Sequence, residues 1–208
     1  MNRSVDFFDT QFERQIRAGD FALNPFEQLA LPFLRGRILD LGCGLGNLAV
    51  EAARRGCDVV AVDASVQAIE RIRKVAGAEA LSIETKIADL TTYRVAEDFD
   101  VIISIGLLMF MESVQAHRLL NEIQSHVRRD GFAILNVLIE GTTYLDMFEP
   151  GRYYLFGENE LRARFAGWEI LESKYDSFAA PGSTVKRFAT VVARKTPASI
   201  LQPSSASS

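Results

Sequence analysis

The stretch ILDLGCGLGN, Ile38 to Asn47, constrains this chain more than any other. An apolar run meets Asp40 and then three glycines within five residues, Gly42, Gly44 and Gly46. This is the pattern of a buried strand turning into a helix around a ligand. The strand is GRILDLG, and NLAVEAARRG is the helix after it, with Gly56 as its C-cap.

The same alternation continues along the chain. CDVVAVD is a second strand ending at Asp63, and Ser65 caps the helix SVQAIERIRKVAG, whose apolar face is Val66, Ile69, Ile72 and Val75/Ala76. LSIETKIAD is a third strand ending near Asp89, and DFDVIISIG a fourth, Phe99 to Ile105. Ser113 caps a helix to about Arg129, which Gly131 ends before the fifth strand, FAILNVLI. Val59–Val62 and Val101–Ile105 are apolar on both faces, as in a parallel sheet covered by helices on both sides. Beyond Gly141 come a long loop, a short helix at about Glu158 to Phe165, and the strands WEILESKYDSF and TVKRFATVVARK, joined at AAPGS. A turn between consecutive strands makes them antiparallel. The expectation is therefore an α/β fold of five parallel strands and a C-terminal hairpin.

With 208 residues, 48% of them hydrophobic, there is material for a single domain with one sizeable core. Its expected span is 1–195, with 1–35 an N-terminal helical lid segment and 196–208, rich in Ser and Pro, a disordered tail. A formal charge of −4 argues against nucleic acid as the main partner. Two cysteines (Cys43, Cys57) and two histidines (His117, His126), none in metal-ligand spacing, argue against a metal. Absence of an apolar leader core and of any apolar run of about 18 residues points to a cytoplasmic protein without membrane contact. A monomer or a homodimer fits equally.

Open α/β sheets bind ligands at the carboxyl ends of their strands. Gly42, Gly44 and Gly46 give G-x-G-x-G, with Asn47 where the dinucleotide fingerprint G-x-G-x-x-G has its last glycine. Asp40 weighs further against a pyrophosphate. At about 4 Å and an effective dielectric near 20, two like charges repel by roughly 4 kcal/mol before screening. The same carboxylate attracts an ammonium or a sulfonium, and S-adenosylmethionine carries both with no phosphate. Asp63, about twenty residues on, suits ribose hydroxyls. Asp89 suits the adenine amino group, and Leu90 offers a backbone N–H to a ring nitrogen. A nicotinamide-dependent oxidoreductase and a non-catalytic nucleoside-binding module are the competing readings.

LDLGCGLG, VVAVDAS, IADL and FDVIISIGLLMFM resemble the motifs of class I S-adenosylmethionine-dependent methyltransferases, over roughly residues 36–195. The resemblance implies a Rossmann-like, doubly wound seven-stranded sheet of order 3-2-1-4-5-7-6, with strand 7 antiparallel and helices on both faces. A narrower similarity, carried by LLMFME, FGENELRARFAGWEI and KRFATVVARK, is to the tellurite-resistance methyltransferases. It implies S-adenosylmethionine as methyl donor, S-adenosylhomocysteine as product, and no metal. The resemblance carries over Gly42, Gly44, Asp63, Asp89 and Leu90 as cofactor contacts, and Asp40, Ala64 and Ile105 complete the expected set. The His-Arg pair that the tellurite members carry before the closing strand has no counterpart in YDSFAAPGSTVKRF, which counts against tellurite as the acceptor.

The expected partner is a small molecule bound above strands four and five. Its walls would come from Ile105 to Met111, from the loop EGTTYLDMFEPGRYYLF, and from Phe7, Phe8, Phe12 and Phe26. Tyr144, Tyr153, Arg152 and Arg187 are the candidate substrate residues. No catalytic base stands out, and in-line methyl transfer does not require one.

Overall fold

The computed structural model describes the backbone of residues 3–196 and the side chains of residues 7–196. All but Thr196 of the tail expected at 196–208 lies outside the described residues. Helices α1 (Arg3–Ala18) and α2 (Pro25–Ala30) precede the sheet. Then follow β1 (Arg37–Leu41), α3 (Asn47–Arg54), β2 (Asp58–Asp63), α4 (Val66–Glu79), β3 (Ile83–Ile87), β4 (Phe99–Ile105), α5 (Ser113–His126) and β5 (Val127–Leu138). A short α6 (Glu160–Arg164) leads to the hairpin of β6 (Glu169–Ala180) and β7 (Thr184–Arg194).

The seven strands lie in the order β3-β2-β1-β4-β5-β7-β6, the order the resemblance implies. Strands β1 to β5 run parallel, and β7 runs antiparallel to both β5 and β6. Each strand sends alternate side chains to opposite faces. One face carries Leu39, Leu41, Val60, Val62, Ile102 and Leu135, covered by Ala116, Leu119, Leu120 and Ile123 of α5. The other carries Ile38, Val59, Ala61, Val101, Ile103 and Ile134, covered by α3 and α4. Burial of each large aliphatic side chain is worth about 1.5–3 kcal/mol, so both faces hold the sheet between helices.

Two helix boundaries differ from the sequence expectation. On α4, Ser65 caps as expected, its hydroxyl taking the Ala68 N–H at 3.2 Å. The inward place on the first turn, however, goes to Ala68, and Val66 is 51% exposed. Glu112, not Ser113, is the N-cap residue of α5, and Ser113 is already helical, its hydroxyl 3.1 Å from His117 Nδ1. The helix also ends at His126 rather than Arg129, and Gly131 lies inside β5. The reason is Lys195, whose ammonium donates to the carbonyls of Gln124, Ser125 and Val127 at 2.8, 3.1 and 2.8 Å. A cation from the end of the sheet thus satisfies the last helical carbonyls, and no glycine cap is needed there.

Among the described residues no helix is long and apolar enough to cross a membrane.

Candidate functional site

A cavity of about 610 Å³ opens at the carboxyl ends of β1, β2 and β4, in the size range of small-molecule sites. All eight residues expected to hold the cofactor line it: Asp40, Gly42, Gly44, Asp63, Ala64, Asp89, Leu90 and Ile105. They converge because each parallel strand ends at the same edge of the sheet, and the chain must turn there into a helix or loop.

The glycine turn is held from β2. Asp63 accepts the Gly44 N–H at 2.8 Å on one oxygen and the Ser65 N–H at 2.9 Å on the other. Each oxygen keeps a lone-pair direction for a further donor. Burial raises the Asp63 carboxyl and these backbone N–H groups oppose the rise. Gly42 and Gly44 have φ of 71° and 52°, a conformation that side chains rarely adopt. A Cβ on Gly44 would come within 3.2 Å of the Phe12 ring, and one on Gly42 within 3.1 Å of Leu107. Their bareness gives a close approach to the backbone from the cavity side.

Asp40 is 5% exposed. No group among the described residues hydrogen-bonds its carboxylate, so it does not cap the turn. Burial pushes its carboxyl up to about 8, and the neighbouring Glu27 and Asp63 carboxylates add to the rise. Glu27 reaches the same region from α2, where it accepts the Asn24 N–H at 2.8 Å in a capping box; burial raises it as well. At the third strand end, Asp89 takes the Thr91 N–H at 2.9 Å and the Thr91 hydroxyl at 2.7 Å, and Leu90 is buried behind it. Four carboxylates therefore face one cavity.

The N-terminal segment covers this end. Phe8 and Phe12 of α1 line the cavity with Phe7 and Phe26, and Ser65 donates a hydrogen bond to Asp9. Among the described residues no group of three or more His, Cys, Asp or Glu is arranged to hold a metal ion. Cys43 and Cys57 are buried free thiols. His117 lies 2.6 Å from Glu160 and His126 2.9 Å from Asp98, neither at the cavity.

The four residues expected to face the substrate do not line the cavity. Tyr144 lies behind Lys186, whose ammonium sits 4.7 Å from its ring centroid. Tyr153 stacks on Phe148, with ring centroids 4.6 Å apart. Arg152 is exposed beside Glu149, at the edge of a neighbouring depression. Arg187 donates to the Glu140 carbonyl at 3.0 Å and lies 3.5 Å from Glu158. Strand alternation explains this last case: Lys186 and Phe188 face the cavity, and Arg187 between them faces the other side. From the expected loop only Met147 reaches the cavity. The sequence reading missed Lys186, Phe188, Glu27 and Asn136. A polar residue inside the apolar FAILNVLI was the available signal for Asn136.

This sheet order, with its inserted antiparallel strand and a ligand-sized cavity over a glycine turn, is that of the class I methyltransferases. The family model described as Tellurite resistance protein TehB matches residues 6–180, and the chain belongs to this family. A curated relative, the probable S-adenosyl-L-methionine-dependent methyltransferase TehB of Haemophilus influenzae (strain 10810), is 28% identical over 166 residues, 76% of this chain and 57% of the relative. The chain thus spans little more than half the length of that relative. In fold it resembles the crystal structure of TehB from Haemophilus influenzae, with TM-score 0.74 and 23% identity over 88% of this chain and 65% of that one. It also resembles the 1,6-didemethyltoxoflavin-N1-methyltransferase of Burkholderia thailandensis, solved with its substrate and S-adenosylhomocysteine, with TM-score 0.67 and 20% identity over 93% and 87% of the two chains.

Proposed function

We propose that the chain is an S-adenosylmethionine-dependent methyltransferase acting on a small-molecule acceptor. The observation that carries this reading is Asp40: a buried carboxylate in the cavity wall, without a hydrogen-bond partner among the described residues and beside further carboxylates. Such a site favours a cationic ligand and disfavours a pyrophosphate. Family membership supports the same reading.

The donor set fits the cofactor. Asp40, with Glu27, would take its ammonium; Asp63, the ribose hydroxyls; Asp89 and the Leu90 N–H, the adenine edge. Gly42 and Gly44 leave the approach clear. When bound, S-adenosylmethionine supplies a methyl group already activated on sulfonium. The chain's own task is then to hold the two reactants in line and to exclude water, and such orientation is worth about 7–11 kcal/mol. The aromatic residues of α1, α2 and the segment after β4 serve that exclusion. The cavity continues past Ile105 to Asn136, Leu138 and Phe188, which leaves room for an acceptor and supports catalysis over mere nucleoside binding.

The test is calorimetric titration with S-adenosylhomocysteine and, in parallel, NADH. Uptake of the first alone is expected. Uptake of NADH alone would overturn the reading.

A further inference from the structure

The acceptor end of the cavity is built on one face of three neighbouring strands. Cross-strand pairing sets Ile105 against Asn136, Asn136 against Thr190, and Leu138 against Phe188. Lys186 follows two residues from Phe188 on the same face. Of the polar residues on this face, Asn136 and Lys186 line the cavity, and neither is used in holding the cofactor.

Asn136 is 1% exposed, and its amide nitrogen donates to the Thr190 hydroxyl at 2.9 Å. Its carbonyl oxygen has no hydrogen-bond partner among the described residues. A buried acceptor left unpaired costs about 1–3 kcal/mol, and this oxygen is closed off from the cavity that Asn136 otherwise borders. Lys186 is half-buried, and burial lowers its ammonium. It makes no ion pair among the described residues; its contact is the Tyr144 ring at 4.7 Å. Among the described residues that line the cavity, Lys186 is also the one cation. The rest of this end is hydrophobic: Phe26 packs on Phe188 at 4.9 Å between centroids, with Phe110, Met109 and Leu138 near it.

Resting on the cofactor reading above, we propose that Lys186 selects the acceptor as a small organic anion. Its acid group meets Lys186, and its apolar or aromatic body fills the phenylalanine-lined wall. One lysine in an apolar surround is poorly suited to a bare inorganic oxyanion, which must exchange its water shell for several donors. An organic acid brings its own apolar surface to that wall and needs only one charged contact.

The full-length chain, first loaded with S-adenosylhomocysteine, is titrated with 4-hydroxybenzoate and with its neutral isostere 4-hydroxybenzamide. Tighter binding of the acid, by about tenfold, is expected from one charged hydrogen bond. K186M and K186Q should erase that preference while retaining cofactor uptake and an unchanged thermal melt. Absence of an acid preference in the wild-type protein, or a preference that survives in both Lys186 variants, overturns the assignment. A wild-type chain that takes up no S-adenosylhomocysteine fails the cofactor reading itself. One that takes it up and treats acid and amide alike fails the acceptor assignment alone.

Discussion

Asp40 illustrates how one residue can be unfavourable to the empty fold and still serve a ligand. Its carboxyl is lifted from 3.8 to about 8 by burial and by Glu27 and Asp63. The folded chain therefore binds a proton that the unfolded chain has lost over that interval, so the contribution of Asp40 to stability is complete below about pH 4 and is lost as the pH rises towards about 8. Asp40→Asn removes this dependence. In urea titrations between pH 5 and 8 its advantage over the parent should grow with pH, reaching on the order of 4 kcal/mol near neutrality. The same variant should bind S-adenosylhomocysteine at least about tenfold more weakly, having lost the carboxylate that the ligand's ammonium would hold ionised. A parallel pH profile in the two proteins would show that Asp40 is ionised without cost. Asp63→Ala should also lose cofactor affinity, by about 1.5–3 kcal/mol for each charged hydrogen bond removed, and calorimetry reads that directly. It should lower stability too, since the Gly44 and Ser65 N–H groups lose their acceptor.

At the scale of elements, contacts between distant parts of the chain set what local signals leave open. Ser65 does two things: its hydroxyl caps α4, and it also donates to Asp9 of α1. Ser65→Ala should cost about 1 kcal/mol as a lost cap. If α1 acts as the lid over the cavity, the variant should also release S-adenosylhomocysteine faster, which stopped-flow displacement measures. An unchanged release rate would remove Ser65 from that latch. Lys195 shows the same logic at the other end of the sheet. Lys195→Met should leave the carbonyls of Gln124 and Val127 unpaired, lowering stability by about 1–3 kcal/mol with no effect on cofactor affinity. The α5 boundary was not legible locally for this reason. Its cap comes from a residue about seventy positions away.

The whole molecule depends on its last strand. β7 pairs with β5 on one side and β6 on the other, so the sheet is incomplete until the chain reaches Arg194. A chain ended after Ala180 would leave β5 as a buried edge with unpaired backbone groups and β6 with no neighbour. It should show no cooperative urea transition, and circular dichroism across a denaturant series checks this. A cooperative transition in that shortened chain would mean that β1–β5 form an independent unit.

The sequence by itself determined the alternating α/β framework, the glycine turn, and the three strand-end aspartates that line one cavity. These are local signals: apolar runs of strand length, glycine at positive φ, and acids at fixed offsets from strand ends. Since parallel strands all end at one edge, such residues assemble without further information. On the acceptor side the sequence marked the walls at Ile105 to Met111 and at Phe7, Phe8, Phe12 and Phe26, but tertiary structure decided which polar side chains reach them. Whether Lys186 or its neighbour Arg187 reaches the cavity depends on the register of β7 against β5, where a shift of one residue would exchange their faces. The aromatic loop after β5 offered Tyr144 and Tyr153, but packing turned both aside and left Phe110 and Phe188 at the wall. Composition marks a loop as apolar; only the finished packing decides which of its rings fill the core and which line a site.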